Sequence, residues 1–342
     1  MKQMKTWLAA LIAVVGLGLV QGHLVHAANT GAQYTVSPVI PENHRTGVSS
    51  YFDLVVKPGT TQPLTLAVTN QTSSPRHLRL SLTTAYTQSN GMIAYKPNGP
   101  KDPSAQYRLT DLGQPTQTVD LAGGQTKQVT VNLKIPAQGF KGVLLGSLYL
   151  VDTQKTNGDT SGGVKFKNQF ATVVGVQLQT SDTAMDQVKK ELQLTGVSAG
   201  IQNGKPGVIA TVQNPTPTFW GKMRLQAKVT KRNSSAVVMK RTVNGFTVAP
   251  NSHFDYGILQ NKALDPGDYS LDLLITGPHG RWHFKRNFSI LAAEADKINR
   301  TVHMKRAFSL PWWAWLLIGI ASVGLLWLIV TLIRRHQQHK TA

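Results

Sequence analysis

The sequence contains no cysteine. That excludes a disulfide framework, a thiolate metal site, a cysteine nucleophile and a thiol lipid anchor. Acidic residues are scarce: 16 Asp and Glu stand against 36 Lys and Arg, a formal net charge of +20 over 342 residues. Aromatic residues make up only 7% of the chain, and helical periodicity is nearly missing. Hydrophobic residues reach 41%, too many for a disordered polymer and too few for a polytopic membrane protein. The length fits about two domains. Such a charge ordinarily points to nucleic acid, provided the compartment allows it.

The two ends decide the compartment. Lys2 and Lys5 precede an apolar run from Trp7 to Val20, and a more polar stretch follows to Val25-His26-Ala27. A basic start, a short apolar core and small residues before a cut describe a secretory signal peptide over 1–27, cleaved after Ala27. An N-terminal membrane anchor is the competing reading, but the run is shorter than the ~20 residues a spanning helix needs. Residues 312–333 carry no charge. At 1.5 Å per residue they cover ~33 Å, enough to cross a bilayer core of ~30 Å. Trp312, Trp313 and Trp315 stand where interfacial aromatics belong. Arg334, Arg335 and Lys340 place the tail 334–342 in the cytoplasm by the positive-inside rule. The expected topology is single-pass type I, and it removes nucleic acid as the partner. Residues 28–168 hold 13 basic and 7 acidic side chains, and 169–311 hold 18 and 9, so both external halves are basic.

Between the ends, period-2 alternation dominates. Leu64, Leu66 and Val68 alternate with polar or small residues, as do Leu78, Leu80 and Leu82, and Val129, Val131, Leu133 and Ile135. Met223, Leu225, Ala227 and Val229, then Tyr269, Leu271, Leu273 and Ile275, repeat the pattern. Each run buries one face and wets the other. Pro58-Gly59, Asn90-Gly91, Gly123-Gly124, Asn203-Gly204 and Pro266-Gly267 punctuate the strands. Only Met185–Leu192 and Ala292–Ile298 read as helical, the second as a stalk toward the membrane. The fold class is all-β: two immunoglobulin-like β-sandwich domains plus one C-terminal transmembrane helix. The polar, Gly-rich stretch 152–163 marks the boundary, giving sandwiches at 28–155 and 156–305; a long hairpin loop inside one domain is the alternative. Val68-Thr69-Asn70 before Ser73-Ser74-Pro75 is echoed by Val212-Gln213-Asn214 before Pro215-Thr216-Pro217.

A family resemblance rests on these turns. Pro38, the triplet Pro41-Glu42-Asn43, Tyr51-Phe52-Asp53, Pro58-Gly59, Asn70 and Asn90-Gly91 resemble the first domain of the WxL-interacting protein family. Asn214, Pro250-Asn251, Phe254 and Pro266-Gly267 with Tyr269 resemble its second domain. The resemblance implies a surface protein of Gram-positive bacteria. Its first domain would bind peptidoglycan and its second host extracellular proteins, in company with WxL-domain surface proteins. The motif residues enter as structural markers, not as ligand contacts.

No catalytic, cofactor or metal site emerges. Gly196-Val197-Ser198-Ala199-Gly200 spells a nucleophile elbow, yet its flanks read as strands and the segment as a loop. His279 and His283 are four apart, but Gly277-Pro278 and Gly280 argue for a hairpin turn. Asp265-Pro266-Gly267-Asp268 offers too few carboxylates for calcium. Trp315-Leu316-Leu317 spells WxL inside the span. Lys222, Arg224, Lys228, Lys231, Arg232, Lys240 and Arg241 form a candidate anion-binding cluster suited to teichoic acids, Arg224 and Lys228 sharing a strand face. A non-enzymatic, membrane-anchored adhesion or scaffold protein is the leading expectation. A wall glycan hydrolase or an accessory surface sensor is the alternative.

Overall fold

The computed structural model describes residues 32–45, 47, 49–154, 170–305 and 312–338, the side chains of 312 and 333–338 excepted. The expected signal peptide lies outside the described residues, as do residues 155–163 of the Gly-rich stretch and the end of the tail. The chain divides into two units. The first comprises 1–84, 95–99 and 107–184; the second comprises 85–94, 100–106 and 185–342.

In the first unit, β1 (Tyr34–Val39), β2 (Phe52–Val55), β3 (Thr61–Asn70) and β4 (Arg76–Thr84) come before two very short strands of the second unit, β5 (Tyr86–Thr87) and β6 (Ile93–Ala94). Then follow β7 (Thr116–Leu121), β8 (Thr126–Lys134), β9 (Val143–Asp152) and β10 (Ala171–Gln179). They form sheets ordered β1-β3-β8 and β2-β10-β9-β4-β7. The alternation explains the layers: Leu64, Leu66 and Val68 of β3 face Leu78 and Leu80 of β4 in one core, all essentially unexposed. Each such side chain contributes roughly 1.5–3 kcal/mol of burial. Pro38 sits in edge strand β1, where a missing N–H disturbs no second ladder.

Strand β10 lies beyond the expected boundary at 155 and pairs within the first unit. It runs antiparallel to β9 (Ala171 opposite Val151) and parallel to β2 (Val176 opposite Phe52). Val174, Val176 and Leu178 enter the first core. Strands β9 and β10, on either side of the polar stretch, are neighbours in one sheet.

The second unit holds β11 (Gln193–Gln202), β12 (Lys205–Asn214), β13 (Trp220–Lys231), β14 (Val237–Val248), β15 (Ser252–Leu259), β16 (Gly267–Gly277) and β17 (Gly280–Ile290). Sheets β11-β12-β15 and β14-β13-β16-β17 enclose a core with Val208, Val212, Leu225, Val229, Leu271 and Ile275. This three-plus-four arrangement is immunoglobulin-like. Asn203 (φ +52°) and Gly204 (φ +71°) make the tight turn between β11 and β12, both in the left-handed region that such a hairpin requires. The elbow-like Gly196–Gly200 lies inside β11, not in a loop, so Ser198 is a strand residue. Tyr269 Oη donates to the Asp265 carbonyl (3.0 Å), a tyrosine corner that explains Pro266-Gly267-Asp268-Tyr269.

Of the two expected helices, Met185–Leu192 is turns and extended chain. The other, α1 (Ala292–Thr301), is helical but packs onto its own sandwich. Ala295 and Ile298 are buried, and Asn299 pairs both ways with the Leu264 backbone (2.7 and 2.9 Å). Finally, α2 (Trp312–Gln338) includes an apolar stretch, Trp313–Leu332, long enough to cross a membrane and with none of it buried.

The echo between halves has one cause. Asn70 ends β3 and Asn214 ends β12, and both are completely buried. Asn70 Nδ2 donates to the Ser74 and Ala122 carbonyls (2.8 and 3.0 Å), and its Oδ1 accepts from the Thr72 N–H and hydroxyl (3.0 and 2.8 Å). Asn214 Nδ2 donates to Thr218 and Ala249 (2.8 and 2.7 Å), and its Oδ1 accepts from Thr216 twice (3.0 and 2.6 Å). Replacing either with Ala strands several buried backbone groups, each worth ~1–3 kcal/mol. We predict that Asn70→Ala and Asn214→Ala each lower stability by about 3 kcal/mol in chemical denaturation. A loss below about 1 kcal/mol would show the side chain to be dispensable.

Candidate functional site

Two features of the second unit have the chemistry of recognition. The first is a cleft of about 560 Å³ bordered by Tyr86, Gln88, Asn90, Gln202, His253 and Asp255. One wall is the hairpin of β5 and β6, set down on the sandwich by backbone and hydroxyl bonds. Thr247 N–H donates to the Gly91 carbonyl (2.8 Å), Ala249 N–H to Thr87 Oγ1 (2.9 Å), and Thr87 shares a hydrogen bond with Ser252 (2.7 Å). Gly91 has φ +85°, and a Cβ there would stand 2.3 Å from the Phe246 ring. The Asn-Gly turn is therefore required by packing as well as by dihedral angle.

Asp102 anchors the second excursion. Its side chain is only 3% exposed. Oδ1 accepts from Ser104 N–H (2.9 Å), Ser104 Oγ (2.6 Å) and Gln213 Nε2 (2.7 Å), and Oδ2 lies 2.7 Å from His253 Nδ1. Burial pushes this carboxyl up, but the hydrogen bonds from Ser104, His253 and Gln213 outweigh it and hold it below the usual range. With the carboxylate accepting at Nδ1, His253 turns Nε2 away from the pair. Among the described residues no hydroxyl is hydrogen-bonded to that Nε2. No group of three or more potential metal ligands converges among the described residues.

The second feature is the outer face of β14-β13-β16-β17. Period 2 turns Arg224, Gln226 and Lys228 outward while Leu225, Ala227 and Val229 enter the core. Lys228 is directly opposite Lys240 on one side and Asp272 on the other, and Asp272 is opposite Lys285. Arg224 is opposite Thr276, which is opposite Arg281. Lys222 lies in a register shift of β13 with φ +57°, and its side chain is exposed. Asp272 is engaged by His283 Nε2 (2.9 Å) and Lys285 Nζ (3.7 Å).

The anion-cluster residues thus divide. Lys222, Arg224, Lys228 and Lys240 share one face. Lys231 and Arg232 sit at the β13–β14 turn, with Arg232 3.5 Å from Asp268. Arg241 turns the other way: its guanidinium donates to the Gly257 carbonyl (2.6 Å) and lies 4.6 Å over the Tyr256 ring. Burial pushes the Tyr256 phenol up to about 12, partly offset by Arg241.

The motif residues occupy structural positions. Asn43 bridges the Val55 carbonyl and Gln62 (both 2.8 Å), and Asp53 accepts from Gln177 (3.1 Å) and Arg45 (3.5 Å). Pro41 accepts the turn bond from His44 (3.1 Å), Glu42 is exposed, and the Tyr51 carbonyl meets His44 Nε2 (3.0 Å). Phe52 is core, and Pro58-Gly59 is a turn with Gly59 at φ +75°. Asn251 Nδ2 donates to the Pro215 and Ser104 carbonyls (both 3.0 Å) beside buried Pro250, and Phe254 packs 4.6 Å from Phe246. Asp102, His253, Arg281 and Lys285 were not singled out in the sequence. Outward alternation along 280–290 was the available signal for the last two.

Asp102 makes the excursion sensitive to acid. Its ionised form contributes stability that is complete above the unfolded carboxyl range, about 4, and is lost as pH falls through the lower folded value. In thermal unfolding of the detergent-solubilised chain, Asp102→Asn is expected to be less stable than wild type at neutral pH. The gap should narrow below about pH 4. A gap independent of pH would remove the carboxylate from the account.

Comparison with known proteins adds the remaining evidence. No curated protein matches the chain at a significant level. Among solved structures, the chaperone–tip adhesin complex of CFA/I fimbriae biogenesis shows 12% identity over 76% of this chain and 99% of its own (TM-score 0.29). The class 5 fimbriae chaperone CfaA shows 12% over 75% and 99% (0.26). The Pseudomonas aeruginosa CupB2 chaperone shows 12% over 67% and 92% (0.25). Residues 34–152 match the peptidoglycan binding domain of the WxL Interacting Protein, and 161–300 match its host binding domain. Both are binding domains, in the order anticipated from the turn motifs: the chain belongs to the WxL-interacting protein family and has a cell-surface binding role.

Proposed function

We propose that the protein is a non-enzymatic, membrane-anchored binding protein. It holds peptidoglycan through its first domain, host extracellular proteins through its second, and WxL-domain surface proteins as partners. The observation that carries this reading is the succession of the two binding domains and an apolar helix of membrane-spanning length. Removal of the signal peptide after Ala27 and type I insertion would put both domains outside and the basic tail 334–342 inside. Exposed edges such as β11 and β14 suit strand addition by a partner.

Detergent-solubilised full chain is expected to co-sediment with purified peptidoglycan and to retain a WxL-domain protein in a pull-down, with no release of sugars or peptides from walls. Binding to neither would overturn the binding reading, and turnover would establish the hydrolase instead. External protease on intact cells should remove both sandwiches and spare the tail.

A further inference from the structure

The outer face of β14-β13-β16-β17 is charged beyond what solubility requires. Soluble surfaces intersperse the two signs. Here Lys222, Arg224, Lys228, Lys240, Arg281 and Lys285 share a face with two carboxylates: Asp272, which His283 and Lys285 already engage, and Asp268 at the start of β16, which Arg232 engages. Among the described residues the other five cations form no ion pair. Lys228 and Lys240 are directly opposite, and like charges so placed, ~5 Å apart, oppose sheet stability. Lys222 is presented by a bulge at a left-handed φ that a lysine adopts at a cost. Folding alone accounts for neither feature.

The spacing identifies the ligand class. Arg224 and Lys228 stand four residues apart on one strand, ~13 Å. Arg281 is two strands from Arg224, ~10 Å. The cations are spread over three strands, Lys240 on β14, Lys222, Arg224 and Lys228 on β13, and Arg281 and Lys285 on β17. Cations spread within about one Debye length of their neighbours suit a chain that carries a negative charge at each repeat. We propose that this sheet face is a docking surface for a linear phosphodiester polymer of the cell wall, of the teichoic-acid type. The source of the polymer rests on the surface location proposed above; the charge arrangement does not.

The test uses the detergent-solubilised full chain and purified poly(glycerol phosphate), titrated between about 50 and 200 mM salt. Wild type is expected to bind with an affinity that falls as salt rises. Combined Arg224→Gln, Lys228→Gln and Arg281→Gln should weaken binding about tenfold or more and reduce the log–log salt slope by about three, one per cation. Lys240→Glu should weaken binding while leaving the unfolding temperature unchanged or raised, because it puts an opposite charge beside Lys228; that separates loss of ligand from loss of fold. Unchanged affinity and slope in both variants would overturn the proposal. Loss confined to anionic phosphatidylglycerol vesicles or to duplex DNA would equally overturn it, in favour of a membrane or nucleic-acid face. Peptidoglycan stripped of anionic polymer should be bound equally by wild type and variants. If wild type fails on stripped peptidoglycan but binds the polymer, the peptidoglycan reading falls and this one stands.

Discussion

A strand has two faces, and in each sandwich only one can be dry. In β13 the dry face takes Met223, Leu225, Ala227 and Val229, all buried, and in β16 it takes Tyr269, Leu271, Leu273 and Ile275. A slip of one residue would drive Arg224 and Lys228 into that core, where an unpaired charge costs several kcal/mol. The core therefore sets the register, and the register assembles the cations. The same constraint places Lys285 beside Asp272 and Arg281 beside Thr276 on β17. The charge of the outer sheet follows from how the inner side is packed.

Corners finish what alternation begins. Asn70 after β3 and Asn214 after β12 close their loops with the same pattern of four hydrogen bonds, and Tyr269 fixes the entry to β16. They are among the residues that make the chain resemble its family, and each hydrogen-bonds to the backbone of a turn. Short loops so fixed leave flat sheet faces and edges as the larger surfaces on offer, which suits polymers and proteins better than small molecules. The exception is the cleft beside His253, where a hairpin and Asp102 contributed from residues 85–106 add relief to the second unit.

Much of this was legible in the sequence. The alternation at 64–68, 78–82, 223–229 and 269–275 marks strands whose apolar members are buried. The turn signals at Pro58-Gly59 and Asn203-Gly204 fall between strands, and Pro266-Gly267 leads into β16. What failed depends on distance along the chain. Ala171–Gln179 alternates like any half-buried strand, and nothing local says which sandwich it joins; its partners Phe52 and Val151 decide. The excursions at 85–94 and 100–106 are polar and short, and Asp102 meets His253 across 151 positions. Arg241 sits in the same basic run as Lys240, but the next residue of a strand points the other way, and Tyr256 and Gly257 hold it there. The helix expected over Ala292–Ile298 runs on to Thr301, and Asn299, which pins it to Leu264, gives no sign in composition.

Lysine acetylation of the full chain, free and on native cell walls, reports residue by residue which surface meets the wall. Protection is expected at Lys228, Lys240 and Lys285 on walls that carry anionic polymer. Exposed lysines away from that face, such as Lys205 at the β11–β12 turn, should react at unchanged rates. Uniform protection, or protection that spares Lys228 and Lys240, would contradict that docking surface.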